Sequence, residues 1–294
     1  MANKCLSLVL HGGAGARRGR DYSREVAHMR GLVEQGRDAL LAGGSAIDVA
    51  TVLTRELEAS GLYVAGRGAS PNTDGVYELD AAIMDGARQM AGAVAALEGF
   101  ESPIAVAREV LESTLHVMLA GGGAAGFAAA RGFDRIADPE AWYTRAGTFE
   151  DNHPPGGLAH GTVGCVVRDE QGRLAACTST GGVFGKLPGR VGDSPIIGAG
   201  CWADRNVAVS CTGQGEYFVK VAAAAQLAHR LRFAGQGLAD AADAVLAEIA
   251  AMGGDGGLIA VAADGSIAMP YVSQGMKRAA LTPDGEILSA AFEL

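Results

Sequence analysis

The stretch His160-Gly161-Thr162-Val163-Gly164 decides how the rest of the chain is read. Before it lies Asp151-Asn152-His153-Pro154-Pro155-Gly156-Gly157, turn-forming residues with little to bury. After it, Val163-Gly164-Cys165-Val166-Val167-Arg168 is an apolar run of the kind that forms a buried strand. Thr162 therefore stands where a loose linker meets a core strand. A cut there would leave a new N-terminus rigidly held.

That placement suits N-terminal nucleophile chemistry. A threonine hydroxyl is a weak nucleophile until a base takes its proton. If Thr162 became the N-terminus, its own α-amine could serve, with a pKa of roughly 7.7–8.0 against about 10.4 for a lysine. The β-branch restricts χ1 and so fixes the direction of the hydroxyl. Before the cut, the same hydroxyl could attack the Gly161 carbonyl, move the acyl group from N to O and leave an ester for water to break. Gly161 tolerates the backbone strain this requires. Taken alone, the pentapeptide also fits a β-branched residue that merely opens a strand, and motifs this short recur by chance.

Composition narrows the field. With 294 residues, the chain has room for one large domain or two smaller ones. The net charge of −9 argues against a nucleic-acid-binding surface. The 44 glycines follow no G-X-Y period, so they point to a globular chain with many tight turns. Cys5, Cys165, Cys177, Cys201 and Cys211 are odd in number and show no C-x-x-C or zinc spacing, so buried free thiols are expected. Met1-Ala2-Asn3-Lys4 lacks the features of a signal peptide, and no run of about 18 apolar residues suggests a membrane span. The expectation is a cytoplasmic protein with no membrane partner.

Periodicity supplies the elements. Leu6–Leu10 reads as a strand entering the loop His11-Gly12-Gly13-Ala14-Gly15. Glu25–Leu41 is a helix ended by Gly43-Gly44, and Ser45 caps a second over Ala46–Glu58. Val76–Met84 and Gln89–Leu97 form strands about the turn Asp85-Gly86, and Pro103 after Ser102 starts a helix to about Thr114. Thr162–Arg168 and Leu174–Thr180 make a hairpin over Asp169–Arg173. Short strands follow at Ile196–Trp202 and Val207–Cys211, then helices at Gly215–Leu231 and Leu238–Met252. Strands at Gly257–Ala263, Ser266–Met269 and near Ile287 close the chain. Strands, helices and strands in each half suggest stacked sheets with helices outside, an α+β arrangement.

Gly121, Gly123 and Gly126 fit G-x-G-x-x-G between the apolar His116–Ala120 and the helix-like Phe127–Arg131. Such a motif alone is a weak sign of a dinucleotide site. The stretch that follows, Asp134–Pro139, offers no convincing strand ending in an acidic residue.

Four stretches then fall into order: Gly161-Thr162-Val163-Gly164, Thr178-Ser179-Thr180-Gly181-Gly182, Gly189-Arg190-Val191-Gly192-Asp193-Ser194-Pro195 and Cys211-Thr212-Gly213-Gln214-Gly215-Glu216. Together with His11–Gly15, Glu78–Gly86 and Leu119–Ala124, this set resembles the plant-type asparaginase / isoaspartyl peptidase family of N-terminal threonine hydrolases. The resemblance spans nearly the whole chain and removes most of the case for a dinucleotide site.

The resemblance implies a four-layer αββα sandwich of the N-terminal nucleophile hydrolase type. It would be built as one domain and cut between Gly161 and Thr162 into an α part, 1–161, and a β part, 162–294. Thr162 matches the nucleophile and Thr180 the threonine that orients it. Arg190 and Asp193 match the pair that recognises the substrate's α-carboxylate and α-ammonium. A guanidinium grips a carboxylate bidentately, and a carboxylate attracts an amine. Thr212 and Gly213 match the oxyanion hole, and Gly213 and Gly215 line the substrate. Self-association as a dimer of heterodimers, (αβ)2, is implied. So is a sodium ion held mainly by backbone carbonyls at Leu57, Glu58, Ser60, Tyr63, Ala65 and Arg67, and no organic cofactor.

The sequence also departs from the family pattern. Val64-Ala65-Gly66-Arg67-Gly68 has valine where the family has asparagine, and Pro270–Met276 lacks the usual Asn-Thr-Glu before Gly-Met. These changes bear on processing rate and leaving-group preference. The expected function is a self-cleaving amidohydrolase that releases aspartate from β-aspartyl dipeptides or L-asparagine. Two alternatives stay open: a hydrolase of glycosylated asparagine or another β-amide, and an unprocessed, non-catalytic binder of small amino acids.

Overall fold

The computed structural model describes residues 5–144 and 161–293. The expected linker over 151–157 lies outside the described residues. Twelve strands form among those described. An eight-stranded sheet has the order β12-β11-β1-β5-β6-β2-β3-β4 and a four-stranded sheet the order β10-β9-β8-β7. The strands are β1 Ser7–Ala14, β2 Leu79–Asp85, β3 Met90–Leu97, β4 Met118–Ala120, β5 Val163–Arg168, β6 Leu174–Thr180, β7 Cys201–Ala203, β8 Val207–Gly213, β9 Gly256–Ala262, β10 Ile267–Ala268, β11 Met276–Leu281 and β12 Ile287–Ala290. The helices are α1 Ser23–Leu41, α2 Ala46–Ala59, α3 Pro103–Ser113, α4 Gly121–Ala130, α5 Pro139–Trp142, α6 Gly215–Val221, α7 Ala223–Ala234 and α8 Leu238–Ala251.

Local chemistry explains the boundaries. Ser45 accepts the Asp48 N–H at 3.3 Å and opens α2, and Ser102 with Pro103 opens α3. The β5–β6 hairpin turns on Asp169, whose Oδ1 accepts the N–H groups of Gln171 and Arg173, both at 3.0 Å. All pairings within the two sheets are antiparallel except β3 with β4. Residues of β1, β2, β6, β8 and β9 are buried throughout.

Three packing regions account for that burial. Leu8, Leu10, Ile83, Val163 and Val167 pack with Leu32, Leu53, Ile104 and Val110 of α1–α3. Val9, Val166, Ala176, Ala208 and Ile259 join the two sheets. Val209 and Leu258 pack with Phe218, Leu227 and Val245 of α6–α8. A strand enclosed on both faces has no polar alternation to display, which is why its sequence reads as a continuous apolar run.

The structure corrects several expectations. β1 does not end at Leu10. It continues through His11-Gly12-Gly13 to Ala14, with a register shift between His11 and Ala14, and Gly13 takes φ +100° there. The expected helix over 215–231 is divided at Ala222, which is left-handed at φ 49°, ψ 52°. The strand expected over Ile196–Trp202 shrinks to Cys201–Ala203. The strand β11 was not anticipated, because its Lys277-Arg278 breaks the apolar pattern. The glycine run 121–126 is helical rather than a phosphate-binding turn. The next described strand after α4, β5, lies on the far side of β6, β2 and β3 from β4, so among the described residues no β-α-β unit forms around that motif.

Candidate active site

Register builds the centre of the site. In the β5–β6 pair Val163 lies opposite Ser179, so Thr162, just before β5, meets Thr180 at the end of β6. Thr162 is 4% exposed and Thr180 3%. The Thr162 hydroxyl donates to Thr180 Oγ1 at 3.3 Å. Thr180 Oγ1 in turn donates to the Gly161 carbonyl at 2.7 Å and accepts the Gly182 N–H at 3.0 Å. A hydroxyl has one proton and two lone pairs, so these three bonds use it completely. The arrangement points the Thr162 hydroxyl proton away from its own chain and polarises the carbonyl of the preceding peptide bond.

The second sheet supplies the neighbouring groups. Thr212 and Gly213 end β8, where Thr212 Oγ1 accepts the Ala14 N–H at 3.1 Å. A Cβ at Gly213 would lie 2.4 Å from the Asp255 carbonyl, so only glycine lets the chain pass. The loop after β6 brings Asp193 against Gly215: a Cβ on Gly215 would sit 2.7 Å from Asp193 Oδ1. Asp193 is buried and its Oδ2 has no hydrogen-bond partner among the described residues. Burial pushes its carboxyl up to about 7.

Arg190 is not paired with Asp193. Its Nε donates to Glu216 Oε1 at 2.9 Å, and Nη2 lies 2.8 Å from the same oxygen. The structure therefore brings Gly161, Thr162 and Thr180 into direct contact and sets Asp193 beside Gly215. Arg190 it ties to a carboxylate for which the sequence reading had no role.

The positions from Leu57 to Arg67 run from the last turn of α2, which holds Leu57 and Glu58, through a loop into a short 3-10 turn at Gly66–Gly68. The carbonyls of Leu57, Tyr63, Ala65 and Arg67 each accept one hydrogen bond, from Ser60 Oγ and the N–H groups of Ala65, Gly68 and Thr144. Each keeps a second lone pair, as carbonyl ligation of a monovalent hard cation requires. The Glu58 side chain points elsewhere. It accepts from Ser179 Oγ at 2.6 Å, from the Ile104 N–H at 3.0 Å and from Ser102 Oγ. Burial pushes its carboxyl up to about 7 against the pull of those donors. Among the described residues, no cluster of three or more His, Cys, Asp or Glu could hold a metal.

Sequence reasoning missed a buried polar set next to this centre: His11, Thr178, Ser210 and Lys186. His11 and Thr178 carried a signal, the motifs they open; Ser210 and Lys186 carried none. Lys186, 2% exposed, donates to the carbonyls of Glu78 at 2.5 Å and Gly181 at 3.1 Å and so fixes the turn that follows Thr180. All five cysteines are free, and four are buried.

The family model described as Asparaginase matches residues 4–153 and 144–288. The chain belongs to the asparaginase family. Among relatives of this asparaginase-family chain is the isoaspartyl peptidase of Salmonella typhimurium, 45% identical over 92% of this chain and 94% of the relative. The isoaspartyl peptidase of Escherichia coli is 44% identical over 92% and 91%. The plant-type L-asparaginase of Pyrobaculum calidifontis is 40% identical over 92% and 95%. Members of the asparaginase family thus share almost the whole length of this chain. Among the described residues, no helix is long and apolar enough to cross a membrane.

Proposed function

We propose that this chain is a self-cleaving amidohydrolase that releases aspartate from β-aspartyl dipeptides and L-asparagine. The observation that carries the reading is the chain of hydrogen bonds from Thr162 Oγ1 through Thr180 Oγ1 to the Gly161 carbonyl. In the first step Thr162 Oγ1 bonds to the Gly161 carbonyl carbon and the 161–162 C–N bond breaks. The leaving nitrogen takes a proton and becomes the α-amine of Thr162. Water then cleaves the ester, giving the Gly161 carboxylate and a free hydroxyl. The Thr180 hydroxyl supports the oxygen on which negative charge develops.

In turnover, the α-amine of Thr162 accepts its hydroxyl proton as Oγ1 attacks the β-carbonyl of the substrate. Thr212 and the Gly213 N–H stabilise the tetrahedral oxyanion. The amine departs with a proton, and water releases aspartate from the acyl-enzyme. Arg190 holds the substrate's α-carboxylate. The unpartnered Oδ2 of Asp193 receives its α-ammonium. These two contacts favour a β-linked aspartyl group with both α-groups free.

The reading includes a four-layer αββα arrangement of the N-terminal nucleophile hydrolase type, supported by the three packing regions. It also includes assembly as a dimer of heterodimers, and a sodium ion that the carbonyls of Leu57, Glu58, Ser60, Tyr63, Ala65 and Arg67 would hold to stiffen the loop beside Val64. The test is a denaturing gel with N-terminal sequencing, followed by aspartate release from β-aspartyl dipeptides, asparagine and glycosylated asparagine. Two fragments, the smaller beginning at Thr162, and turnover of the first two substrates are expected. An intact 29.8 kDa band with no aspartate release would leave a non-catalytic binder instead.

A further inference from the structure

Between the two sheets runs a polar chain that the reaction above does not use. His11 of β1, Ser210 of β8 and Thr178 of β6 are each 0% exposed. His11 Nδ1 lies 3.1 Å from the Thr162 carbonyl, and Nε2 lies 2.9 Å from Ser210 Oγ. Thr178 Oγ1 lies 2.7 Å from Ser210 Oγ and 3.0 Å from the Gly200 carbonyl. Gly164 makes the approach possible: a Cβ there would lie 2.0 Å from Ser210 Oγ and 2.3 Å from His11 Nε2.

Counting protons fixes the direction of the chain. A carbonyl only accepts, so Nδ1 must donate to Thr162. Burial, with Lys277 acting in the same sense, pushes the imidazole down to about 3, so the ring carries one proton. Nε2 is then a bare lone pair and accepts from Ser210. Ser210 has spent its proton and accepts from Thr178. The Gly200 carbonyl is the group that can go without Thr178, because it already accepts the Cys211 N–H at 2.9 Å. Four contacts share three protons, and the least costly vacancy lies at the end remote from Thr162.

We propose that His11 is a positioning residue for self-cleavage: the Thr162 carbonyl selects its Nδ1–H tautomer, Ser210 and Thr178 hold the ring by Nε2, and the Nδ1–H pins the main chain of the nucleophile against β1. This rests on the assignment of Thr162 as the nucleophile. An unrestrained imidazole favours the proton on Nε2, so the tautomer is a property of the clamp rather than of histidine.

The experiment has two arms. In the uncut Thr162→Ala chain, the ring nitrogens of His11 are read by 15N NMR at neutral pH, independently of any cleavage. A protonated Nδ1 and a bare Nε2 are expected; a proton on Nε2, alone or on both nitrogens, overturns the proposal. In the otherwise native chain, His11→Asn presents its amide N–H about where Nδ1 stood, whereas His11→Gln reaches only toward Ser210. Self-cleavage should persist within a few-fold in His11→Asn and slow at least about ten-fold in His11→Gln, the factor corresponding to one lost neutral hydrogen bond. Equal rates in the two variants overturn the positioning role. If His11→Gln does not fold by circular dichroism, Ser210→Ala decides. It should leave Nε2 without its donor, keep Nδ1–H on the Thr162 carbonyl and slow the cut by loosening the ring, and a native rate overturns the clamp. A native chain that never cuts refutes the nucleophile assignment while the tautomer arm still reads.

Discussion

Thr180→Val tests the centre of the site with little change in shape, because valine replaces the hydroxyl with a methyl of similar size. Three bonds go at once: the 2.7 Å bond donated to the Gly161 carbonyl, the 3.0 Å bond accepted from the Gly182 N–H and the 3.3 Å bond accepted from Thr162. The Gly182 N–H is left buried without this partner, at a cost to stability of about 1–3 kcal/mol. The rate should suffer more. The Gly161 oxygen becomes the oxyanion when Thr162 attacks, and losing one donor to such an oxygen raises the barrier by about 2.7–4 kcal/mol, a slowing of roughly 10²–10³. The assay is a time course of the two fragments on a denaturing gel, with the fold checked by circular dichroism. Thr180→Ser, which keeps the hydroxyl, should recover most of the rate. A valine variant that folds and cuts as fast as the native chain would refute the reasoning, because the polarised carbonyl would then be irrelevant to the cut.

Thr162→Ala should fold, stay uncut and release no aspartate; turnover by this variant, measured with a β-aspartyl dipeptide, would exclude Thr162 as the nucleophile. Arg190→Ala should cut itself normally yet show a raised KM, since Glu216 is its partner within the chain and the substrate carboxylate loses its guanidinium. Burial pushes the Asp193 carboxyl from its ordinary value of 3.8 up to about 7. Its folded pKa is raised, so its stabilising contribution is full below 3.8 and is lost as pH rises through about 7. The thermal midpoint should carry that downward slope in the native chain and a shallower one in Asp193→Asn, where the buried Glu58, also raised to about 7, still contributes. For the same reason kcat/KM should rise with pH through this range, as the carboxylate that receives the ammonium forms. Gly161→Ala puts a Cβ 2.8 Å from Cβ and Cγ2 of Val64. In the uncut Thr162→Ala background, this overpacking should lower stability by about 1–3 kcal/mol, and Val64→Ala, which removes Cγ2 but keeps Cβ, should restore only part of it.

Much of the element pattern could be read locally because the forces behind it are local. Ser45 and Ser102 announce their helices through a side chain that reaches only three residues on, and the β5–β6 turn announces itself through Asp169. Ala222 gave no such warning. Nothing in an alanine-rich run marks the residue that will turn left-handed, and only the packing of α6 and α7 on the second sheet requires it. β11 was hidden for the opposite reason. Its Lys277 and Arg278 look like surface, yet the strand pairs with β1 through Leu8–His11 and Ala14.

The site divides the same way. The sequence by itself nominated the residues to which the proposed function gives chemistry: a threonine between linker and core strand, a second threonine in Thr-Gly-Gly, and an arginine and an aspartate on a glycine loop. These residue types and spacings are fixed by covalent order. Only the tertiary structure decided who meets whom. The register of β5 on β6 set Thr162 on Thr180, the second sheet brought Ser210 to His11, and α6 gave Arg190 the partner Glu216. Those contacts join residues up to 199 positions apart. They depend on sheet order and on the face each strand turns inward, which no local pattern specifies.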